Sequence, residues 1–221
     1  MGDTSNAAVD ARSIVWLESL TEQQKSDILN STLLAQLSAD AKSPVSDEEN
    51  ASEWHDKYVQ TLSSLGWVVT KSASSDVEHS LVGESVADTI LSALRADENA
   101  DSDKELHESA ARAVELLRPG SHPEAESVLN AASISSSAQY AGVQLAIAGN
   151  VNDSPSLTIF SYFYSSPDTI TTALWHPIQD GATFSIKQFF VQIALNESVY
   201  ERVREAVVGK LERVGDKIVS L

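Results

Sequence analysis

The chain has 221 residues, of which 42% are hydrophobic, and it carries a formal net charge of −17 without a single cysteine. A chain of this length can bury a full hydrophobic core, and the lack of cysteine excludes disulfides, thiolate catalysis and cysteine-based zinc sites. The negative charge disfavours nucleic acids and anionic membranes as partners, because both are bound through Lys and Arg.

The acidity is concentrated in the N-terminal part of the chain. Residues 1–135 carry 24 acidic and 9 basic side chains, whereas residues 136–221 carry 8 and 6. We interpret this charge as a solvated surface that keeps the protein soluble. The alternative is that the acidic region docks to a basic partner or gathers cations.

The termini and the hydropathy profile predict a soluble protein. Residues 1–6 lack the basic and apolar segments of a secretory signal, and no run approaches the 18 apolar residues of a membrane-spanning helix. We therefore expect a cytoplasmic location, with non-classical export as the alternative.

The first 134 residues are predicted to be mainly helical. Residues 1–11 are small and polar, which predicts a disordered tail before one α+β domain over residues 12–221. A short helix is predicted from Ser13, and a longer one from the capping-box sequence Thr21 to Gln24 through about Lys42. Apolar spacing of three or four predicts further helices over 46–65, 82–94, 104–117 and 123–132. Residues 67–71 are β-rich and predict a short edge strand.

The character of the chain changes at residue 135. Four β-rich runs, at 140–148, 157–164, 170–175 and 183–194, are joined by short turn-rich connections, which predicts an antiparallel meander. The alternation within Gly181 to Leu195 slips at Gln188, and this predicts either a β-bulge there or a strand covered on both faces. After Asn196, apolar residues at every third or fourth position predict a long amphipathic helix. Its stripe is Tyr200, Val203, Val207, Leu211, Val214, Ile218 and Leu221.

The predicted fold class is therefore α+β. An antiparallel sheet of four or five strands, mainly within residues 139–194, packs with N-terminal helices and a long C-terminal amphipathic helix. The helical part (12–134) and the β-meander with its C-terminal helix (135–221) are predicted to share one domain, because no repeat or low-complexity linker separates them. The alternative is a helical domain followed by a separate domain that contains the β-meander and the C-terminal helix.

The sequence lacks common catalytic signatures. It contains no Gly-x-Ser-x-Gly elbow, phosphate-binding loop or dinucleotide-binding glycine pattern. His107 and His122 in the acidic region lack the ligand spacing of a metal site, and the charged residues around His55 are expected on a solvated helix face. We predict no catalytic residue, no cofactor and no metal.

A cluster of aromatic residues is the strongest candidate for a binding surface. Phe160, Tyr162 and Tyr164 alternate along one face of their predicted strand, and Trp175 and His176 follow at the end of the next. If that face of the sheet is open, these five residues form a ligand- or partner-binding surface. The alternative is that helices cover the face and the residues belong to the core.

These features favour a non-enzymatic soluble binding or accessory protein that acts through protein–protein contact. One alternative is a component of a membrane-acting or toxin-type assembly, which would use the C-terminal helix or the β-hairpins after rearrangement. A second alternative is a hydrolase-like enzyme with a site built from carboxylates and His176.

Overall fold

A computed structural model describes residues 6–46, 48–79, 85–96, 104–151, 154–178 and 184–221. Within these residues, seven strands form one sheet and seven helices pack on its faces. The strands are β1 (Ala7–Asp10), β2 (Ser13–Trp16), β3 (Trp67–His79), β4 (Tyr140–Val151), β5 (Ser154–Ser165), β6 (Phe184–Leu195) and β7 (Ile218–Ser220). The helices are α1 (Glu22–Lys42), α2 (Glu48–Ser64), α3 (Val86–Ala96), α4 (Lys104–Leu116), α5 (Pro123–Ser133), α6 (Glu197–Tyr200) and α7 (Arg204–Leu211).

The strand order across the sheet is β3-β6-β5-β4-β2-β1-β7. The four long strands, β3, β6, β5 and β4, pair with one another in antiparallel fashion. In contrast, β2 runs parallel to β4. The hairpin of β1 and β2 then pairs with β7 at the far edge. The prediction of four or five antiparallel strands is therefore wrong: the sheet is mixed, because the two ends of the chain add three strands beside β4.

Each face of the sheet has its own hydrophobic core. Helices α1, α2 and α7 cover one face, here called the front face, and α3, α4 and α5 cover the opposite, back face. Because side chains alternate along a strand, β5 contributes to both cores. Its front residues are Leu157, Ile159 and Phe163, and its back residues are Phe160, Tyr162 and Tyr164.

Local sequence signals determine the start of α1 and the end of α2 as predicted. The capping box of α1 is confirmed: the Thr21 hydroxyl accepts from the Gln24 amide, and the Gln24 side chain accepts from the Thr21 amide at 3.0 Å. The chain turns after α2 at Gly66, whose φ of 99° favours glycine. No helix in the described part of the chain is both long and apolar enough to cross a bilayer.

The N-terminal segment differs from its prediction. Residues 7–10 form β1 rather than a disordered tail, and the segment from Ser13 forms β2 rather than a helix. Ile14 and Val15 are β-branched and fully buried, and β2 lies against the edge of β4. Strand pairing satisfies the backbone of both strands, and it outweighs the weak helical spacing of this short segment.

The strand around Gln188 is regular, so the predicted β-bulge at that position is wrong. Gln188 pairs with Tyr162 in an uninterrupted register between β5 and β6. A register shift lies instead on the neighbouring strand, between Val69 and Lys71 of β3. The run of apolar residues in β6 arises because helices cover both faces of the sheet, which is the second of the two predicted explanations.

Residues 170–175 were predicted as a strand but form a loop. Other groups satisfy its backbone: the Ala173 amide donates to Asn130 Oδ1 at 2.8 Å, and its carbonyl accepts from the Tyr164 hydroxyl at 2.7 Å. The Leu174 carbonyl accepts from the Ala87 amide at the start of α3. These side-chain and helix-terminus contacts replace a β-ladder.

The predicted long C-terminal helix is also wrong. A turn separates the short helices α6 and α7, and the chain ends in β7 after a 3-10 turn at Gly215–Lys217. β7 pairs with β1 through Val9 and Val219, and the Ala11 amide donates to the Lys217 carbonyl at 2.8 Å. This pairing gives hydrogen-bond partners to the backbone groups on the outer edge of β1. A helix cannot provide them, because its own backbone groups are already bonded to one another.

Candidate functional site

The five residues predicted to bind a ligand or partner lie close together at the back of the sheet. Phe160, Tyr162 and Tyr164 are buried in the back core, with 5%, 1% and 2% of their surface exposed. Trp175 and His176 lie in the loop that follows β5, where Trp175 is half-buried and His176 is buried. A partner could reach the three β5 side chains only by displacing the helices above them. Their role in binding stays a prediction.

The loop that follows β5 is fastened to the end of α4 and to β5. The Trp175 indole donates to the Leu117 carbonyl at 2.6 Å, and the Arg118 guanidinium lies 5.3 Å from the centre of the indole ring. The rings of Tyr164 and His176 stack with their centres 6.4 Å apart. These contacts give the aromatic cluster a clear structural role.

Ser166 and His176 form a buried hydrogen-bonded pair, with 3.0 Å between Ser166 Oγ and His176 Nε2. Burial lowers the pKa of His176, and the charge of Asp168 opposes this effect. A serine beside an imidazole is the pairing that activates a nucleophile, but this serine oxygen also accepts from the Asp168 amide at 3.1 Å. The pair therefore stabilises the turn after β5, and the hydrolase alternative stays a prediction. In the described ranges, no group of three or more His, Asp or Glu side chains is arranged to hold a metal.

A second polar cluster lies at the front, where the turn between β1 and β2 meets α1. We call it the front seam, and it consists of Asp10, Arg12, Thr32, Gln36 and Asp40. The Thr32 hydroxyl donates to Asp10 Oδ2. The Gln36 side chain donates to the Asp10 carbonyl and accepts from the Arg12 amide, both at 3.0 Å. These bonds tie α1 to the N-terminal hairpin.

The charged end of the front seam reaches α2. Arg12 contacts Asp40 at 2.6 Å, and the same carboxylate oxygen accepts from the Trp54 indole at 2.7 Å. The Arg12 guanidinium lies 4.6 Å from the centre of the Trp54 ring, within the range of a cation–π contact. The seam thus joins the hairpin, α1 and α2 through one arginine.

Several buried polar atoms in the front seam and on the neighbouring Tyr58 have no hydrogen-bond partner among the described residues. They are Asp10 Oδ1, Arg12 Nε and Nη1, and Tyr58 Oη. Burial raises the pKa of Asp10 to about 8, against the lowering effect of the Thr32 hydrogen bond. Burial also raises the pKa of Tyr58, and the negative charge of Asp10 raises it further. Burial lowers the pKa of Arg12. At neutral pH, Asp10 is therefore mostly protonated.

Sequence reasoning missed the front seam because residues 1–11 were predicted to be disordered. A usable signal was present: two apolar segments, Ala7 to Val9 and Ile14 to Trp16, flank a short polar stretch with Asp10 and Arg12. That pattern is typical of a hairpin with a tight turn, and Ala11 indeed adopts a positive φ of 49°.

A cleft of about 440 Å³ lies between α2 and the strands β3 and β6. His55 is buried and stacks on Phe189 with 4.4 Å between ring centres. Its Nδ1 has no partner among the described residues, and burial lowers its pKa to about 4 while Asp56 opposes the shift. The charged positions of this segment were expected on a solvated helix face. Asp56 is exposed as expected, whereas His55 is buried. The lining comprises His55, Asp56, Val59, Val69, Ser72, Ala73, Ser74, Phe189 and Val191.

Comparisons with known proteins give similarity at the level of solved structures only. No protein-family model and no curated protein sequence matches the chain. The activated Cyt2Ba monomer from Bacillus thuringiensis subsp. israelensis is 11% identical, with a TM-score of 0.46, over 84% of this chain and 97% of that one. A delta-endotoxin is 11% identical, with a TM-score of 0.48, over 88% of this chain and 85% of that one. The Evf virulence factor is 10% identical, with a TM-score of 0.37, over 96% and 85% of the respective chains. Similarity at this level assigns neither a family nor a function to the chain.

Proposed function

We propose that this chain is a membrane-acting protein in which α1 and α2 leave the front of the sheet and the long strands then enter a lipid bilayer. The observation that carries the proposal is the length of four adjacent antiparallel strands. β4, β5 and β6 each have 12 residues and β3 has 13. A transmembrane β-strand needs about 9–11 residues, whereas an ordinary strand averages about 5–6.

The side chains of β6 favour exposure of the front face to lipid. From Phe189 onward, every second residue of β6 is apolar and points to the front, whereas the back carries Gln188 and Gln192 beside Ile186 and Phe190. On the neighbouring β3, Trp67 lies in the front core, Ser72 and Ser74 follow on the same side, and Lys71 lies on the opposite side. A continuous apolar face is what a membrane-embedded strand presents to lipid.

The front seam ties α1 to the hairpin, but it also buries polar atoms whose exposure to water offsets part of the cost of separating α1 and α2 from the sheet. Each buried polar atom without a partner costs about 1–3 kcal/mol, and the atoms of this kind on Asp10, Arg12 and Tyr58 would gain water when the layer opens. Part of the front interface is therefore polar rather than close-packed hydrocarbon. Gly66 joins α2 directly to β3 and provides a pivot for the movement.

A disulfide across the front seam tests whether the layer must open. Because the chain has no cysteine, the double variant Asp10→Cys/Thr32→Cys carries only the designed thiols, at two positions whose side chains are in contact. We expect the reduced variant to release dye from phosphatidylcholine vesicles and the oxidised variant to release none.

The matched control joins the two helices without fastening them to the sheet. Ser38 of α1 and Thr61 of α2 place their hydroxyl oxygens 3.2 Å apart, so Ser38→Cys/Thr61→Cys locks α1 to α2. This variant should permeabilise vesicles in both redox states. Equal leakage from the oxidised seam variant would refute the opening step, and no leakage from the unmodified protein would refute the membrane role.

Single-cysteine labelling tests which face meets the lipid. Val191 and Gln192 are adjacent on β6 and point to the front and the back respectively. We expect a fluorescent label on Val191→Cys to be quenched by lipids that carry a quencher in their acyl chains, and a label on Gln192→Cys to be quenched by aqueous iodide. Equal responses from the two positions would contradict strand insertion.

A further inference from the structure

The edge of the sheet at β3 is open along much of its length. β3 is the terminal strand, and among the described residues no strand pairs with its outer side. All seven residues from 68 to 74 are exposed, and they include Val68 at 55% and Val69 at 39%. An exposed edge of this kind presents unpaired backbone groups to which a further strand can bind.

The cleft beneath α2 runs along this edge. Ser72 and Ser74 of β3 pair with Val191 and Phe189 of β6, and all four line the cleft. Val59 of α2 lines it from the other side. A strand added to β3 would therefore direct every second side chain into the cleft, which offers both apolar surface and hydroxyl groups.

The charge of the cleft favours a cationic occupant. Its lining contains the carboxylate of Asp56 and neither lysine nor arginine. His55 adds no positive charge at neutral pH because burial lowers its pKa to about 4. The net charge of −17 acts in the same direction over a longer range.

We propose that the open edge of β3 and the adjoining cleft form a docking site for an extended, basic segment of another protein. The segment adds a strand to β3, and its alternate side chains enter the cleft, where a lysine or arginine reaches Asp56. A second copy of this chain is a poor occupant, since both copies are strongly acidic. This inference does not depend on the membrane role.

The test uses the whole chain and a defined peptide, acetyl-Lys-Val-Lys-Val-Lys-Val-amide. We expect the peptide to shift the amide resonances of residues 67–74 and the ring resonances of His55, with a dissociation constant below about 1 mM. The matched peptide with glutamate in place of lysine should shift neither set. No shift at a peptide concentration of about 1 mM, or shifts spread over the acidic surface, would overturn the proposal.

Two substitutions in the cleft and one control at the back separate strand docking from general charge attraction. Ser74→Lys places a cation in the cleft and should weaken binding of the lysine peptide by at least about tenfold. Asp56→Asn should weaken it several-fold, whereas Glu124→Gln, which removes one exposed charge from α5 at the back, should leave it unchanged. Equal effects of Asp56→Asn and Glu124→Gln would overturn the assignment. Peptide binding is measured without vesicles, so its failure is distinguishable from failure of the membrane role.

Discussion

Replacing Asp10 by asparagine tests whether a buried, protonated carboxyl group holds α1 to the N-terminal hairpin. Asp10 is fully buried, and its pKa is raised from 3.8 to about 8, mainly by burial. Thr32 and Gln36 contact its side chain from α1. Arg12 flanks it on the hairpin, and the negative charge of Asp10 raises the pKa of Tyr58 on α2. Asparagine has the same shape and stays neutral at every pH.

The sign of the pH effect follows from the direction of the pKa shift. A folded-state pKa above the unfolded value means that the folded protein binds the proton more tightly. The stabilisation is complete below about pH 4 and is lost as the pH rises to about 8. At about 1.4 kcal/mol per pH unit, the loss sums to roughly 6 kcal/mol, which is comparable with the whole stability of a small domain.

The assay is urea unfolding of both proteins at a series of pH values between 4 and 9. We expect equal free energies of unfolding at pH 4 and a growing advantage of Asp10→Asn as the pH rises, with a plateau above about pH 8. Since other groups titrate in both proteins, only the difference between them is interpreted. A difference that is independent of pH would refute the raised pKa of Asp10.

Three further substitutions test the packing of the two faces. Gly142→Ala should destabilise the fold by about 1–3 kcal/mol, because a Cβ there would lie 2.5 Å from Cδ1 of the Phe163 ring; an unchanged urea midpoint would contradict this close approach. Tyr164→Phe should cost about 1 kcal/mol through loss of the bond to the Ala173 carbonyl, and faster amide exchange around that loop should accompany it. The folded pKa of His55 lies below its unfolded value, so the unmodified protein should lose stability as the pH falls from 6.5 to about 4. The His55→Phe variant has no imidazole to protonate and should not show this loss. That loss amounts to roughly 3 kcal/mol, and parallel acid unfolding curves for the two proteins would count against a neutral, buried His55.

The local features of the fold could be predicted from the sequence. The capping box at Thr21 determines the start of α1, because its hydrogen bonds join residues three apart. Pro123 begins α5 as expected. The three runs that became β4, β5 and β6 were recognised from their β-rich composition and the turn residues between them. The assignment of Phe160 and Phe163 to opposite faces follows from the two-residue period of a strand.

The candidate sites could not be predicted in the same way, because their residues are distant in sequence. The front seam joins Asp10 to Thr32 and Gln36, and the cleft joins His55 to Phe189. No spacing rule connects such residues before the topology is known. The predicted aromatic cluster was assembled by the fold, but it lies beneath helices whose position the sequence did not reveal.

The sequence by itself determined the local preferences of this protein: where helices α1 and α5 begin, that the runs at 140–148, 157–164 and 183–194 form strands, and which side chains of β5 share a face. Only the tertiary structure decided the fate of the two chain ends and of residues 170–175. Residues 7–16 and 218–220 became strands because the edges of β4 and β1 required hydrogen-bond partners. Residues 170–175 became a loop because Asn130 and Tyr164 satisfied its backbone instead. In each case a hydrogen-bond requirement set by distant parts of the chain outweighed a weak local preference.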